Sequence, residues 1–498
     1  MLSYLHRYCG AGLVALLCAS SVFSQTFAPP KHYGPFTDAY QLATGDFNRD
    51  GAADFAGAIN FNHATQTEVV VYMNNGSGTF GTPSVVPGTT GAGFVAVGDF
   101  NQDGNLDIAF TAPNAQVGVA YGNGKGGFAS PLFYSVNGVP DSIAVADYNG
   151  DGKPDIATLS NSTKEVSILK NTGTSFTSSS FAVPLYYSSH NSGYPPDNVG
   201  NLVSGDFNGN HKQDLAYLDM CADSSCGPGL SRIYTLINTG TGSSFTPNLL
   251  NDQVSGCCEL DAADVDLDGK VDLLVSTGGG GTANAFVEYS NGNNSFTQVY
   301  FDSYVFSYGQ PHHLVVGDFN NDGIEDIIGY TSTLADGTPD YGFDVYTGKG
   351  GRSGFNAPAH FADTTGDYTR GGFAVGFIDN NGTKDVALVD TVGLAIFLNT
   401  TSTSKDPCSY PDAPGLHNCG PANGSSGPAT IHVLDAYKAS VQPAQRIEFW
   451  VDGKKLFQEY QDFLNTTVTL SVGTHQLSVV GVDATDKYIK SNTTYTVK

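Results

Sequence analysis

An acidic decapeptide returns seven times along this chain of 498 residues, and that period constrains the fold more than any other feature. The copies are GDFNRDGAAD from Gly45, GDFNQDGNLD from Gly98, ADYNGDGKPD from Ala146, GDFNGNHKQD from Gly205, ADVDLDGKVD from Ala263, GDFNNDGIED from Gly317 and GFIDNNGTKD from Gly376. Successive copies stand 48 to 59 residues apart. Self-similarity at such a period marks a repeat architecture, and each unit has room for four short strands. A second signature trails the first: VVVYMNNGSGTF, VGVAYGNGKGGF, VSILKNTGTSF, IYTLINTGTGSSF, AFVEYSNGNNSF and FDVYTGKGGRSGF. Each is an alternating strand, a Gly/Asn turn and an aromatic that opens the next strand.

One unit therefore reads as strand, acidic loop, strand, loop, strand, Gly turn, strand, which is a propeller blade. The recurring Phe80, Phe128, Phe176, Phe245, Phe296 and Phe355 are expected in the core. The seventh unit stops at LAIFLNT without its last strand. The missing piece is expected from the other end, where TFAPPKHY around Phe27 matches GGFASPLFY around Phe128 and SGFNAPAHF around Phe355. A terminal strand that completes the last blade removes an open sheet edge. The expectation is an all-β protein: a seven-bladed β-propeller over 25–400, a Cys-containing linker over 401–428 and a small Ig-like β-sandwich over 429–498. High Gly (61), Tyr (26) and Phe (30) counts suit short strands and turns.

The loops carry their own chemistry. In D-x-[DN]-x-[DN]-G-x-x-D, side-chain oxygens recur at positions 1, 3, 5 and 9, the carbonyl of position 7 adds another, and Gly at 6 permits the turn. That suits Ca²⁺, which takes six to eight oxygens at about 2.3 to 2.6 Å. Five loops are complete: Asp46/Asn48/Asp50/Asp54, Asp99/Asn101/Asp103/Asp107, Asp147/Asn149/Asp151/Asp155, Asp264/Asp266/Asp268/Asp272 and Asp318/Asn320/Asp322/Asp326. The fourth copy, Asp206/Asn208/Asn210/Asp214, has lost an acid and carries His211 for the turn Gly, so it is expected to bind weakly. The seventh has Phe377 at position 1, leaving Asp379, Asn381 and Asp385, and is expected to be vacant. A cation enclosed by its own loop reads as a staple rather than a catalyst.

The paired GDFNxDGxxD and NxGxGxF signatures resemble FG-GAP/VCBS repeats, the family that includes the propeller of integrin α subunits, over roughly residues 25 to 400. The resemblance implies calcium in the acidic loops and a propeller used as a recognition platform. Some members are joined to enzymes. Near the end of the chain, WVDGKK and VGTHQLSVVGVD resemble bacterial Ig-like domains, which implies a spacer or adhesive module. A hairpin is expected there at Asp452-Gly453, with Trp450 as a core anchor.

Residues 1–24 read as a secretory signal, with Arg7, the apolar run AGLVALLCA and a cleavage region ending at Ser24. No later run approaches the ~20 apolar residues of a membrane span. Export would leave Cys221, Cys226, Cys257, Cys258, Cys408 and Cys419 in an oxidising compartment, where an even count favours disulfides. Cys408 and Cys419 are expected to bridge a small turn. Cys221 and Cys226 pair either across to Cys257 and Cys258 or with each other beside a vicinal pair. The net charge of −26 excludes a nucleic-acid binder that works by bulk electrostatics.

Function in a propeller favours the face with longer, more varied loops, which here is the one opposite the acidic loops. Its connectors carry Tyr187, His190, Tyr194, Tyr304, Tyr308 and His312, a mixture suited to sugar stacking or a protein contact. No GxSxG, HExxH or GxxxxGK[ST] signature is present, and no catalytic residue is assigned. The expected function is a secreted calcium-binding recognition or adhesion protein whose partner is a glycan or a cell-surface or extracellular protein. The alternatives are a polysaccharide lyase or hydrolase on the same scaffold, or a structural envelope component.

Overall fold

The computed structural model describes residues 26–498 apart from 35, 62–65, 174–180, 183, 189–197, 211, 221–229, 241, 243, 256, 279–283, 303–313, 321, 323, 334–338, 364–371, 380, 382, 390–392, 402–414, 421–423, 428, 439–443, 460–462 and 484–487. Among the described residues every regular element is a strand, and no helix is long and apolar enough to cross a membrane.

Seven four-stranded antiparallel sheets follow the seven repeats. In the first, Phe36–Gly45, Asp54–Phe61, Glu68–Tyr72 and Ser84–Val85 lie side by side in chain order. The acidic decapeptide closes the first hairpin of each sheet; Gly45 pairs with Asp54 at its mouth. The innermost strands are Phe36–Gly45, Val95–Gly98, Ser142–Ala146, Asn198–Gly205, Cys257–Ala263, Leu314–Gly317 and Phe373–Gly376. Each touches the next around a closed cycle, the last returning to the first.

The ring closes as the repeat arithmetic requires. Lys31–Tyr33 pairs antiparallel with Leu394–Phe397 and supplies the fourth strand of the seventh sheet. Phe27 bridges Asn399, and the Ala28 amide donates to the Leu398 carbonyl at 2.8 Å. The Phe27 ring packs edge-on against Phe343 and Phe361 of the sixth sheet, so the closing strand is fastened through its aromatic as well as its backbone.

The core is seven seams rather than one centre. Second strands such as Asp107–Ala112 are buried throughout, because alternate side chains enter the seams on the two sides of the sheet. Thus Phe55 and Ile59 pack toward the seventh sheet, while Ala56 and Ala58 pack toward the second. Phe80 and Phe245 are buried as expected, and Phe128, Phe296 and Phe355 are partly buried at their seams. In the third repeat the place belongs to Phe181, which bridges Asn171 and is buried. Phe176, expected there, lies outside the described residues.

A side-chain latch ties neighbouring sheets together. In five repeats the side chain that begins the Gly turn donates to the carbonyl of position 2 in the preceding sheet's acidic loop: Asn74 to Ile378, Asn171 to Phe100, Asn238 to Tyr148, Ser290 to Phe207 and Asn399 to Phe319, at 2.6 to 2.8 Å. Gly122 and Gly348 hold this place in the second and sixth repeats, where a Cβ would lie 2.1 Å from the Leu106 carbonyl and 2.4 Å from that of Glu325. Asn238→Ala should cost about 2–3 kcal/mol, because it strands buried backbone groups in two sheets. Urea unfolding of the variant checks this.

The C-terminal residues form two sheets, one of three and one of five strands. Ile431, Val433, Ile447, Phe449, Val468, Leu477, Val479 and Tyr495 share one core between them. Gly415–Gly420 and Ser425–Gly427 are strands of these two sheets, so the module begins within the segment read as a linker. Trp450 is not its anchor: it is half-buried and its indole donates to Glu448 Oε2, because alternation turns Phe449 inward instead. Asp452 and Gly453 form the expected tight turn, with φ of 49° and 81°.

Candidate functional site

The acidic loops fold by turning their side-chain oxygens onto their own amides. At position 1, Asp46 accepts from the amides of Asp50 at 3.0 Å and Gly51 at 2.9 Å. Asp99, Asp147 and Asp264 repeat both bonds, and Asp318 repeats the first at 3.1 Å. Position 3 accepts from position 5 through Asn48, Asn101, Asp266 and Asn320. In the third loop Asn149 instead turns its amide toward Asp155. Position 5 accepts from position 7 through Asp50, Asp103, Asp151, Asp268 and Asp322. Position 4 is left-handed, with φ of 63° at Arg49, 57° at Gln102 and 58° at Leu267, so each of these loops contains two left-handed residues rather than the turn Gly alone.

Position 9 has a different task. Asp54, Asp107, Asp155, Asp214, Asp272, Asp326 and Asp385 are all fully buried. In each, one carboxylate oxygen accepts the amide of position 2, as in Phe47 to Asp54 and Phe207 to Asp214. The other accepts the amide that opens the Gly turn, as in Asn74 to Asp54 and Asn238 to Asp214. This carboxylate joins the two signatures of every repeat, including the seventh, where position 1 is Phe377. Each carboxylate oxygen retains a further lone pair, so the bonds leave it able to face a cation.

Burial, reinforced by neighbouring carboxylates, pushes these groups up: Asp54, Asp107, Asp272 and Asp326 to about 8, Asp155, Asp214, Asp264 and Asp385 to about 7, and Asp46 and Asp99 to about 6. Desolvation disfavours the charged form, and a cation would offset that cost. In the fifth loop Asp264, Asp266 and Asp268 bring one oxygen each within 4.8 Å of one another, a set of hard oxygens that would fit calcium. The fourth loop keeps its turn through Asp206, Asn208 and Asn210. In the seventh, Asp379 and Asn381 bond locally.

On the axis, the innermost strands enclose a cavity of about 350 Å³. Phe94, Ser142, Leu314 and Phe373 line it at or just before the first residues of their strands, and Thr44 and Val375 line it one residue from the acidic hairpins, so the cavity runs along the axis and is open to the starts of the inner strands. Gln41, Asn201, Glu259 and Asp261 add polar groups to the wall.

Of the expected partner residues, Tyr187 is half-buried, its ring 5.1 Å from that of Phe245 in the seam between the third and fourth sheets. The adjacent Tyr186 is 49% exposed. His190, Tyr194, Tyr304, Tyr308 and His312 lie outside the described residues, as do Cys221, Cys226, Cys408 and the side chains of Cys257, Cys258 and Cys419. The cavity wall was not visible in the sequence, because it is assembled from one to a few residues on each of seven separate repeats.

A closed ring of repeated four-stranded sheets with one acidic loop in each defines a β-propeller. The FG-GAP-like repeat family matches residues 46–110, 99–158, 147–217, 206–275 and 264–329, more than half of the chain, and the protein belongs to that family. Solved structures that align with the chain include BBS1N in complex with ARL6DN, at 11% identity and a TM-score of 0.47, covering 76% of this chain and 98% of that one. The Dos1 propeller aligns at 12% identity and a TM-score of 0.43, covering 76% and 88%. The extracellular domain of the putative hybrid two component system BT4673 from B. thetaiotaomicron aligns at 10% and 0.45, covering 95% and 59%. Comparison with curated proteins finds no match.

Proposed function

We propose that this protein is a secreted recognition propeller, stiffened by calcium in its acidic loops, that binds a glycan or an extracellular protein on the face opposite those loops. The axial cavity carries this reading. It is a preformed recess of about 350 Å³ lined by apolar Leu42, Phe94 and Phe373 beside polar Gln41, Ser142 and Glu259. Such a mixture suits a small polar group presented by a larger partner. The connectors 303–313 and 364–371, with Tyr304, Tyr308 and His312 among them, lead directly into strands that line its wall. Calcium has a supporting role: each loop would hold its own hairpin, and the C-terminal module would act as an Ig-like spacer.

Retention of the purified chain on immobilised glycans and polysaccharides in millimolar calcium tests the reading, with the eluates assayed for new reducing or unsaturated ends. The expected result is retention without new ends, weakened about tenfold or more by Glu259→Gln, which removes a charge while keeping the side chain's shape. New ends would show an enzyme instead. Retention equal in the variant would place the contact away from the cavity.

A further inference from the structure

The sixth sheet places a guanidinium on the acidic loop of the fifth. Arg352 lies in the turn between Pro339–Tyr346 and Ala359–Asp363. Its Nε donates to Asp266 Oδ2 at 2.6 Å and its Nη2 to Asp268 Oδ2 at 3.2 Å. Nη2 also donates to the Ser290 carbonyl at 2.6 Å, and Nη1 donates to Asn291 Oδ1. The guanidinium carbon stands 5.3 Å from the Tyr289 ring centroid, a cation–π distance. All five partners belong to the fifth sheet or its loop.

The arrangement follows from a rule of the ring. Gly turns lie over the acidic loop of the preceding sheet: the Gly126 amide donates to the Phe47 carbonyl at 3.0 Å, and Gly242 approaches the Tyr148 carbonyl so closely that a Cβ there would lie 2.7 Å from it. In the sixth repeat that turn carries Arg352. The loop beneath it is the one complete loop with aspartate rather than asparagine at position 3. That additional acid, Asp266, is the group that Arg352 Nε holds. Lys270 of the same loop pairs with Asp268. The fifth loop thus has an additional carboxylate and a cation of its own, delivered from the neighbouring sheet.

We propose that calcium and the Arg352 guanidinium are alternative occupants of the fifth loop, competing for Asp266 and Asp268, so that filling this loop with calcium releases the latch between the fifth and sixth sheets. The proposal rests on the calcium reading of the loops. A guanidinium that uses Oδ2 of both aspartates withdraws ligand oxygens from any ion centred among Asp264, Asp266 and Asp268. Because the two occupants exclude one another, each must weaken the other by the same factor.

The test is a calcium titration of the full chain and of Arg352→Gln, followed by calorimetry and by the thermal midpoint in calcium and in EDTA. The expected result is that one class of sites tightens about tenfold in Arg352→Gln. The variant should also melt lower than the parent in EDTA, where the latch is lost, with the difference narrowing in saturating calcium. In an Asp268→Asn background the gain in affinity should vanish, which assigns it to this loop. If the parent binds calcium and Arg352→Gln binds it with the same affinity, the competition is refuted and Arg352 is a structural contact alone. If neither chain binds calcium, the calcium reading fails and this proposal falls with it.

Discussion

Asp214→Ala is expected to lower the unfolding free energy by about 2–4 kcal/mol, and to do so equally with and without calcium. The carboxylate is fully buried and accepts the amides of Phe207 at 3.2 Å and Asn238 at 2.7 Å. Truncation leaves two buried donors without an acceptor, and that penalty exceeds the gain from no longer burying an acid. Asp214→Asn should fall between, because its amide keeps one acceptor and presents a donor to the other N–H. Asp214 suits the experiment because its loop has asparagine at position 5 and a histidine for the turn Gly, so a smaller calcium effect is expected there than in the five complete loops. Urea unfolding in EDTA and in calcium measures it. A loss seen only with calcium would show that position 9 acts as a ligand and not as a fastener.

In calcium-free buffer the protein should lose stability as pH rises from about 5 to about 8, and calcium should restore more stability at pH 8 than at pH 5. Unfolded, these carboxyls titrate near 3.8; folded, Asp54, Asp107, Asp272 and Asp326 are pushed up to about 8 by burial. Between those limits the folded chain holds protons that the unfolded chain has released. The contribution is therefore fully present below pH 3.8 and is lost as pH passes through the folded values. Calcium bound in the loops would take the proton's place beside the crowded oxygens. For sites of about 10⁻⁴ to 10⁻³ M at millimolar calcium, linkage supplies about 0.4–1.4 kcal/mol each, so five loops supply about 2–7 kcal/mol. Thermal unfolding in EDTA and in calcium at both pH values checks the sign. Stability in EDTA that does not change with pH would contradict it.

The ring was legible because each repeat is a complete sentence of local structure. The number of acidic copies matched the number of sheets, and the incomplete seventh unit pointed to the segment TFAPPKHY around Phe27, of which Lys31–Tyr33 pairs with the last strand. Side chains that act between repeats were not legible. Asn238 reads as an ordinary turn residue until the fold places the Tyr148 carbonyl 2.8 Å from its amide. Arg352 likewise reads as a solvated charge until the sixth turn is laid over the fifth loop. Left-handed Arg49, Gln102 and Leu267 carry no propensity for that conformation, which the bonds of the aspartates on either side impose. Trp450 was misread because period-2 alternation leaves a choice of phase, and Phe449 took the inward one. The axial wall is contributed by one or a few residues from each inner strand, so no contiguous segment signals it.

The most direct test of the calcium-stiffened propeller is the thermal midpoint of the purified chain at pH 8 as calcium is titrated from EDTA to millimolar. The expected result is a saturable rise that levels off as about five ions bind, one for each complete loop. A midpoint that does not move across the titration would show that the acidic loops hold their shape through their own hydrogen bonds alone.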